Sequence, residues 1–214
     1  DSAYQASIQC RKQMDDDGNS ESNSKPMRAD AQRNIDSLLR AAAEVFDRSG
    51  VDAPVKEIAD KAGVGVGTLY RHFPQRPDLI KAIIRHDVDA CADAASLFAT
   101  NHPPLEALAA WMQRLVDLVA SKRGLAAALY PSNSSYRSLP DYVFSQLTPA
   151  LRGLLDAASD AGSIRSGVDA HELLLASMRV ATSASEGDTE QARRMVALIV
   201  DGLRFGATNT GHGA

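Results

Sequence analysis

Aromatic residues make up only 5% of the 214 residues, and cysteine occurs twice, at Cys10 and Cys91. Two cysteines cannot build the disulfide framework of a small secreted domain, and a reducing cytoplasm suits them. No apolar run approaches the roughly 20 residues that a bilayer-crossing helix needs, so no membrane partner is expected. The opening residues carry no basic segment leading into an apolar stretch, and a cytoplasmic location is expected. Strand-like alternation is missing, as is any repeat of fixed period. G-x-S-x-G, H-E-x-x-H and C-x-x-C are all absent, so neither a catalytic group nor a metal site is expected, and no cofactor. The run Gly63-Val64-Gly65-Val66-Gly67-Thr68 has the glycines of a phosphate cradle but lacks the lysine that follows them in a P-loop.

What is present is helical material. Apolar residues make up 44% and charged residues 23% of the chain, the balance of an ordinary globular protein. The net charge of −4 is spread unevenly: −2 over 1–26, +2 over 27–86 and −4 over 87–214. A slightly basic segment on an acidic body suits an anionic partner for that segment.

Residues 1–26 are polar and aperiodic, and are expected to be a disordered leader or an extension ahead of a natural start at Met27. From Ala31 a 3.6-residue period begins, with Ile35, Leu38, Leu39, Ala42 and Phe46 on one face and Gly50 as the stop. Short helices follow at 55–62 and 66–73, with Pro54 able to sit in the first turn of the former. A long helix then runs from Pro77 to about Phe98 and ends at NHPP, 101–104. Further helices are expected over 105–121, 124–129, 141–159, 170–185 and 190–205, with 131–140 a polar loop. The expected fold is all-α: three N-terminal helices over 27–76, the second and third arranged as a helix-turn-helix, then a larger helical domain over 77–214.

The informative stretch is VKEIADKAGVGVGTLYRHF, 55–73. Val55, Ile58, Ala59 and Ala62 form a small apolar face that lets two helices approach closely. Gly63 permits a positive φ at the turn, and Val64 is the apolar plug inside it. Leu69 and Phe73, four apart, point to the core. The opposite face presents Val66, Gly67, Thr68, Tyr70, Arg71 and His72, with hydroxyl, guanidinium and imidazole groups able to reach phosphates and base edges in a major groove.

Residues 31–80 resemble the DNA-binding domain of the TetR/AcrR family of bacterial transcriptional regulators. The resemblance rests on the first helix ending in Phe46-x-x-x-Gly50, on EIADKAGV, on GTLYRHF, and on Asp78-Leu79-Ile80. It implies that Thr68, Tyr70 and His72 meet DNA phosphates, as does Arg76, which stands where the family usually has lysine. It also implies that Gly65, Val66, Gly67 and Arg71, positions that vary with operator sequence, face bases. Arg28 and Arg33 would add backbone contacts. Pro54 departs from the common pattern, in which a capping threonine touches phosphate. Downstream, only the helical pattern and Ala161-Gly-Ser-Ile-Arg165 resemble the family.

For the C-terminal body the resemblance implies a small-molecule effector site and a homodimer. Trp111, Met112, Leu115, Tyr130, Tyr142, Phe144 and Met178 either line that site or fill a core. The last two helices would pair with their symmetry mates through Leu173, Leu174, Ser177, Val180, Val196, Ile199, Val200 and Leu203, with Ala176, Ala181 and Ala184 allowing close packing. The expected function is a repressor, binding a pseudo-palindromic double-stranded operator and released by its effector. The alternative is a ligand-independent DNA-binding regulator with a packed C-terminal domain. His86, Asp89 and Asp93, on one face of the long helix, are expected to be solvated.

Overall fold

Glycine and proline cut the chain into helices. The computed structural model describes residues 24–122, 125, 134–183 and 188–205, without the side chains of 24–33 and 134. Among these residues all regular structure is helical: α1 (Ser24–Ser49), α2 (Val55–Ala62), α3 (Val66–His72), α4 (Arg76–Asn101), α5 (Pro104–Ala120), a 3-10 turn at Ser134–Tyr136, α6 (Leu139–Asp160), α7 (Ala170–Ser183) and α8 (Thr189–Arg204). None of the described helices is long and apolar enough to cross a membrane.

Helix α1 starts seven residues before the expected Ala31. Pro26 falls in its first turn, where the missing N–H is lost without cost and the fixed φ suits a helix start. Residues 24–30 carry no apolar stripe, so periodicity could not reveal that turn. The expected helix over 124–129 lies outside the described residues apart from Leu125, which is buried.

One apolar cluster runs from Leu38 to Leu203. At its N-terminal end Leu38, Ala42, Val45 and Phe46 of α1 meet Ile58, Ala59 and Leu69, and are roofed by Leu79, Ile80 and Ile83 of α4. Helix α4 packs against α1 and also against α5 and α6, so it joins the two halves of the molecule. In the C-terminal half α5 is the central helix, touching α4, α6, α7 and α8. Trp111 of α5 is fully buried, and its indole Nε1 donates to the Cys91 carbonyl of α4 at 2.8 Å.

Candidate nucleic-acid interface

The turn between α2 and α3 is fixed by backbone geometry. Gly63 has φ +67°, in the left-handed region that favours glycine. Its N–H donates to the Asp60 carbonyl at 3.2 Å, and the Val64 N–H donates to the Ala59 carbonyl at 3.0 Å. These two bonds form the Schellman pattern that closes a helix end, and the half-buried Val64 folds under it. The pair is braced against α1 by ion pairs between Arg48 and Glu57 and, at 2.8 Å, between Lys61 and Glu44. The Lys61 hydrogen bond, with its charge, holds the Glu44 carboxyl below its usual range.

Helix α3 is split by this arrangement. Leu69 is 2% exposed and Phe73 half-buried, whereas Tyr70 is 49% exposed. Arg71, His72, Val66, Gly65 and Gly67 are also exposed, and Thr68 is half-buried. The side chains of Tyr70, Arg71 and His72 form no hydrogen bond or ion pair among the described residues. Among the described residues nothing requires bare backbone at two of these positions. A Cβ at Gly67 would meet no atom within 4 Å, and one at Gly65 only the Thr68 hydroxyl at 3.9 Å. The short helix thus offers donors and uncovered backbone on one outward face.

Residues 38–83 match the family of bacterial regulatory proteins named for tetR, and residues 103–205 match the C-terminal domain of SbtR-like transcriptional regulators. A TetR transcriptional regulator from Streptomyces coelicolor is 38% identical, with 79% of this chain and 98% of that one aligned at a TM-score of 0.68. The chain belongs to the TetR family of transcriptional regulators. A second TetR regulator, from Mycobacterium vanbaalenii, is 34% identical over 84% of this chain and 99% of its own, with a TM-score of 0.67. An HTH-type transcriptional regulator of Staphylococcus aureus (strain USA300) is 41% identical over 64 residues, 29% of this chain. That match spans 35% of the curated relative's length. FadR from Bacillus subtilis in complex with stearoyl-CoA shares the fold at 21% identity, with a TM-score of 0.61 over 79% of this chain and 97% of that one.

Within this TetR-family frame, Arg76 is engaged inside the subunit. Its Nη1 donates to the Ala53 carbonyl at 2.8 Å and to the Val51 carbonyl, and its guanidinium lies 6.0 Å from the Phe46 ring centroid. The α1–α2 loop exposes carbonyls with no helical partner there, and a guanidinium satisfies them. Pro54 is the residue before α2 and forms no side-chain cap. The side chains of Arg28 and Arg33 lie outside the described residues.

The expected ligand residues separate. Trp111, Met112 and Leu115 are fully buried core. Met178 packs against that core from its edge. Tyr142 is half-buried at the junction of α4 and α6. Its hydroxyl donates to Asp89 Oδ1 at 2.5 Å, and the Arg85 guanidinium lies 4.9 Å from its ring centroid. The Asp89 bond holds the Tyr142 phenol above its usual range, and burial adds to that. Phe144 alone of the set lines a large groove, of about 640 Å³, between α6 and the start of α7. Tyr130 lies outside the described residues. The solvated face expected around His86 is also corrected: His86 sits between Asp36 and Asp87, at 3.5 and 3.1 Å, and Asp89 is engaged by Tyr142. Asp93 remains exposed.

The expected dimer residues also need correction. Leu173, Leu174 and Ser177 of α7, and Val196, Val200 and Leu203 of α8, are buried within the subunit. Val180 and Ile199 pack against the same core from its rim. The strongest apolar stripe of α7 covers α5 and α6, and that of α8 covers α5 and α7, because an unburied stripe would cost the subunit its own stability. The outward apolar residues of α8 are Met195 (47% exposed), Leu198 (72%) and Phe205 (80%), the last at its C-cap. Their signal in the sequence is a second apolar set, offset from the main stripe, which was readable as surface noise. Ala176 is exposed on α7, Ala181 is buried within the subunit, and Ala184 lies outside the described residues.

Proposed function

We propose that this regulator binds a pseudo-palindromic double-stranded operator in the cytoplasm as a homodimer, each subunit laying α3 in a major groove. One observation carries the reading: Tyr70, Arg71 and His72 project from α3 with no hydrogen bond or ion pair among the described residues, while Leu69 anchors the same helix in the core. Tyr70, His72 and Thr68 are assigned to phosphates, and Arg71 to a base edge, with Gly65 and Gly67 allowing close backbone approach. The DNA-binding unit is taken as 27–76 and the effector and dimerisation unit as 77–214. The dimer face is taken as the outward side of α7 and α8, around Met195, Leu198 and Phe205. A small-molecule effector in the C-terminal unit would weaken operator binding only if it preferred the conformation with the wrong helix separation. Because α4 packs on both units, its tilt is the link.

A second reading, regulation without a ligand, is favoured by the solid packing of Trp111, Met112 and Leu115. Selection of bound duplexes from a random pool tests the main reading. The expected result is an enriched palindrome, whose half-site preference changes in Arg71→Ala. No enrichment, and no duplex shifted at low salt, would overturn it.

A further inference from the structure

Helix α6 carries one row of residues along the groove whose polar side chains, those of Thr148, Arg152 and Asp156, form no hydrogen bond or ion pair among the described residues. Phe144, Thr148, Arg152 and Asp156 follow one another at intervals of four, so they stack along one face. The adjacent row, Ser145, Pro149 and Gly153, is short, and the gap between the rows and His171 is the groove of about 640 Å³. That volume lies within the range of about 300–1,000 Å³ common for small-molecule sites.

Three features of the groove are unexplained by packing. The Thr148 hydroxyl is buried and has no hydrogen-bond partner among the described residues. Elsewhere in the chain Thr100 and Thr182 each donate to the carbonyl four residues back, at 2.8 Å. Pro149, inside α6, brings no N–H to the Ser145 carbonyl, so the helix ladder provides no donor at the groove floor. Arg152 is exposed and forms no ion pair among the described residues. Above this floor the Phe144 and His171 rings meet at 4.6 Å between centroids, tilted by 44°. A cleft with apolar rings at one end and a hydroxyl and a guanidinium a helical turn away is complementary to a flat anion.

We propose that the α6–α7 groove binds a small aromatic carboxylate, its ring against Phe144, Pro149 and His171 and its carboxylate on Arg152, with the Thr148 hydroxyl joining it by rotation about χ1. This deepens the effector reading and rests on it for any effect on DNA. Binding itself does not depend on that reading. Asp156, four residues beyond Arg152, opposes the anion and keeps the affinity modest.

The test is calorimetric titration of the full chain with sodium 1-naphthoate, against neutral 1-naphthamide. One saturable site per chain is expected, with the amide and Arg152→Ala each weaker by at least about tenfold. Asp156→Asn is expected to bind roughly two- to fivefold tighter, since a nearby like charge is removed. Such a gain cannot come from a damaged fold. Absence of saturation, as when a second copy covers the groove, overturns the proposal. So does equal binding of the amide, or indifference to both substitutions. Operator shifts on the same samples separate the two readings. Intact DNA binding without naphthoate binding removes only the groove. Wild-type chain that shifts no DNA removes the regulator reading while the titration still decides the groove.

Discussion

Leu69 and Tyr70 are adjacent on α3 and face opposite ways, the first sealed in the core and the second half in solvent. Substitutions at the two should therefore separate stability from binding. Leu69→Ala empties space under α3 and is expected to cost about 2–5 kcal/mol. Tyr70→Ala is expected to change stability by less than about 0.5 kcal/mol, while weakening binding to specific and random duplexes alike. Urea denaturation and filter binding on both variants check this; a large stability loss in Tyr70→Ala would place that ring in the core.

Gly67 gives a second separation. It lies inside α3, where alanine is the better helix former, and a Cβ there has open space. Gly67→Ala is expected to stabilise the subunit by roughly 0.5–1 kcal/mol. Operator affinity should fall, because the added methyl stands between backbone and DNA. Higher affinity alongside higher stability would mean that α3 does not approach DNA at this point.

Arg76 separates a brace from a phosphate contact. Its bonds to the Val51 and Ala53 carbonyls predict that Arg76→Ala loses about 1–3 kcal/mol of stability. The slope of operator affinity against salt should stay unchanged. A phosphate contact would instead lower that slope by about 1, with stability preserved. Thermal melts and binding at several salt concentrations distinguish the two.

The outward set on α8 predicts the oligomer. Leu198→Asp introduces a charge at a position 72% exposed in the subunit, so the folded subunit should tolerate it. If α8 forms the dimer face, sedimentation will show a monomer, and half-sites will no longer be bound cooperatively. A dimer that persists in Leu198→Asp would move the interface elsewhere.

Burial drives the Cys91 thiol up from its ordinary 9.0 to about 11. The folded state then holds a proton that the unfolded chain releases, so stability is full below pH 9 and declines as pH rises through 9 to 11. In a Cys10→Ser background, disulfide-exchange reagents at pH 8 should leave Cys91 untouched until denaturant is added. Prompt labelling of the native protein would contradict its burial.

The helices were legible because each is punctuated. Gly50, Gly63, Pro77 and the NHPP run end or begin elements by backbone chemistry alone, and 3.6-residue periodicity filled the spaces between. The same clarity hid the outward apolar set on α8. Leu173, Leu174, Val196 and Val200 formed the most apolar stripes, but a subunit core and an interface draw on the same residue types. Only packing decides which stripe goes inward. The bonds of Arg76 were hidden for a related reason: its partners are the Val51 and Ala53 carbonyls, and a carbonyl carries no signature in sequence. The split face of α3 was readable because Leu69 and Phe73 use up the inward positions, leaving Tyr70, Arg71 and His72 the outward ones.

Helix α8 is no appendage. Val196 and Val200 close the core over α5, and the Leu203 carbonyl accepts from the Arg165 N–H at 2.9 Å, tying the end of the helix to the loop after α6. A nonsense codon shortly after Glu190 would leave every DNA-contacting codon in place yet strip one wall from Trp111 and its neighbours. Such an allele should behave genetically as a null, recessive and temperature-indifferent, and not as a permanently engaged repressor.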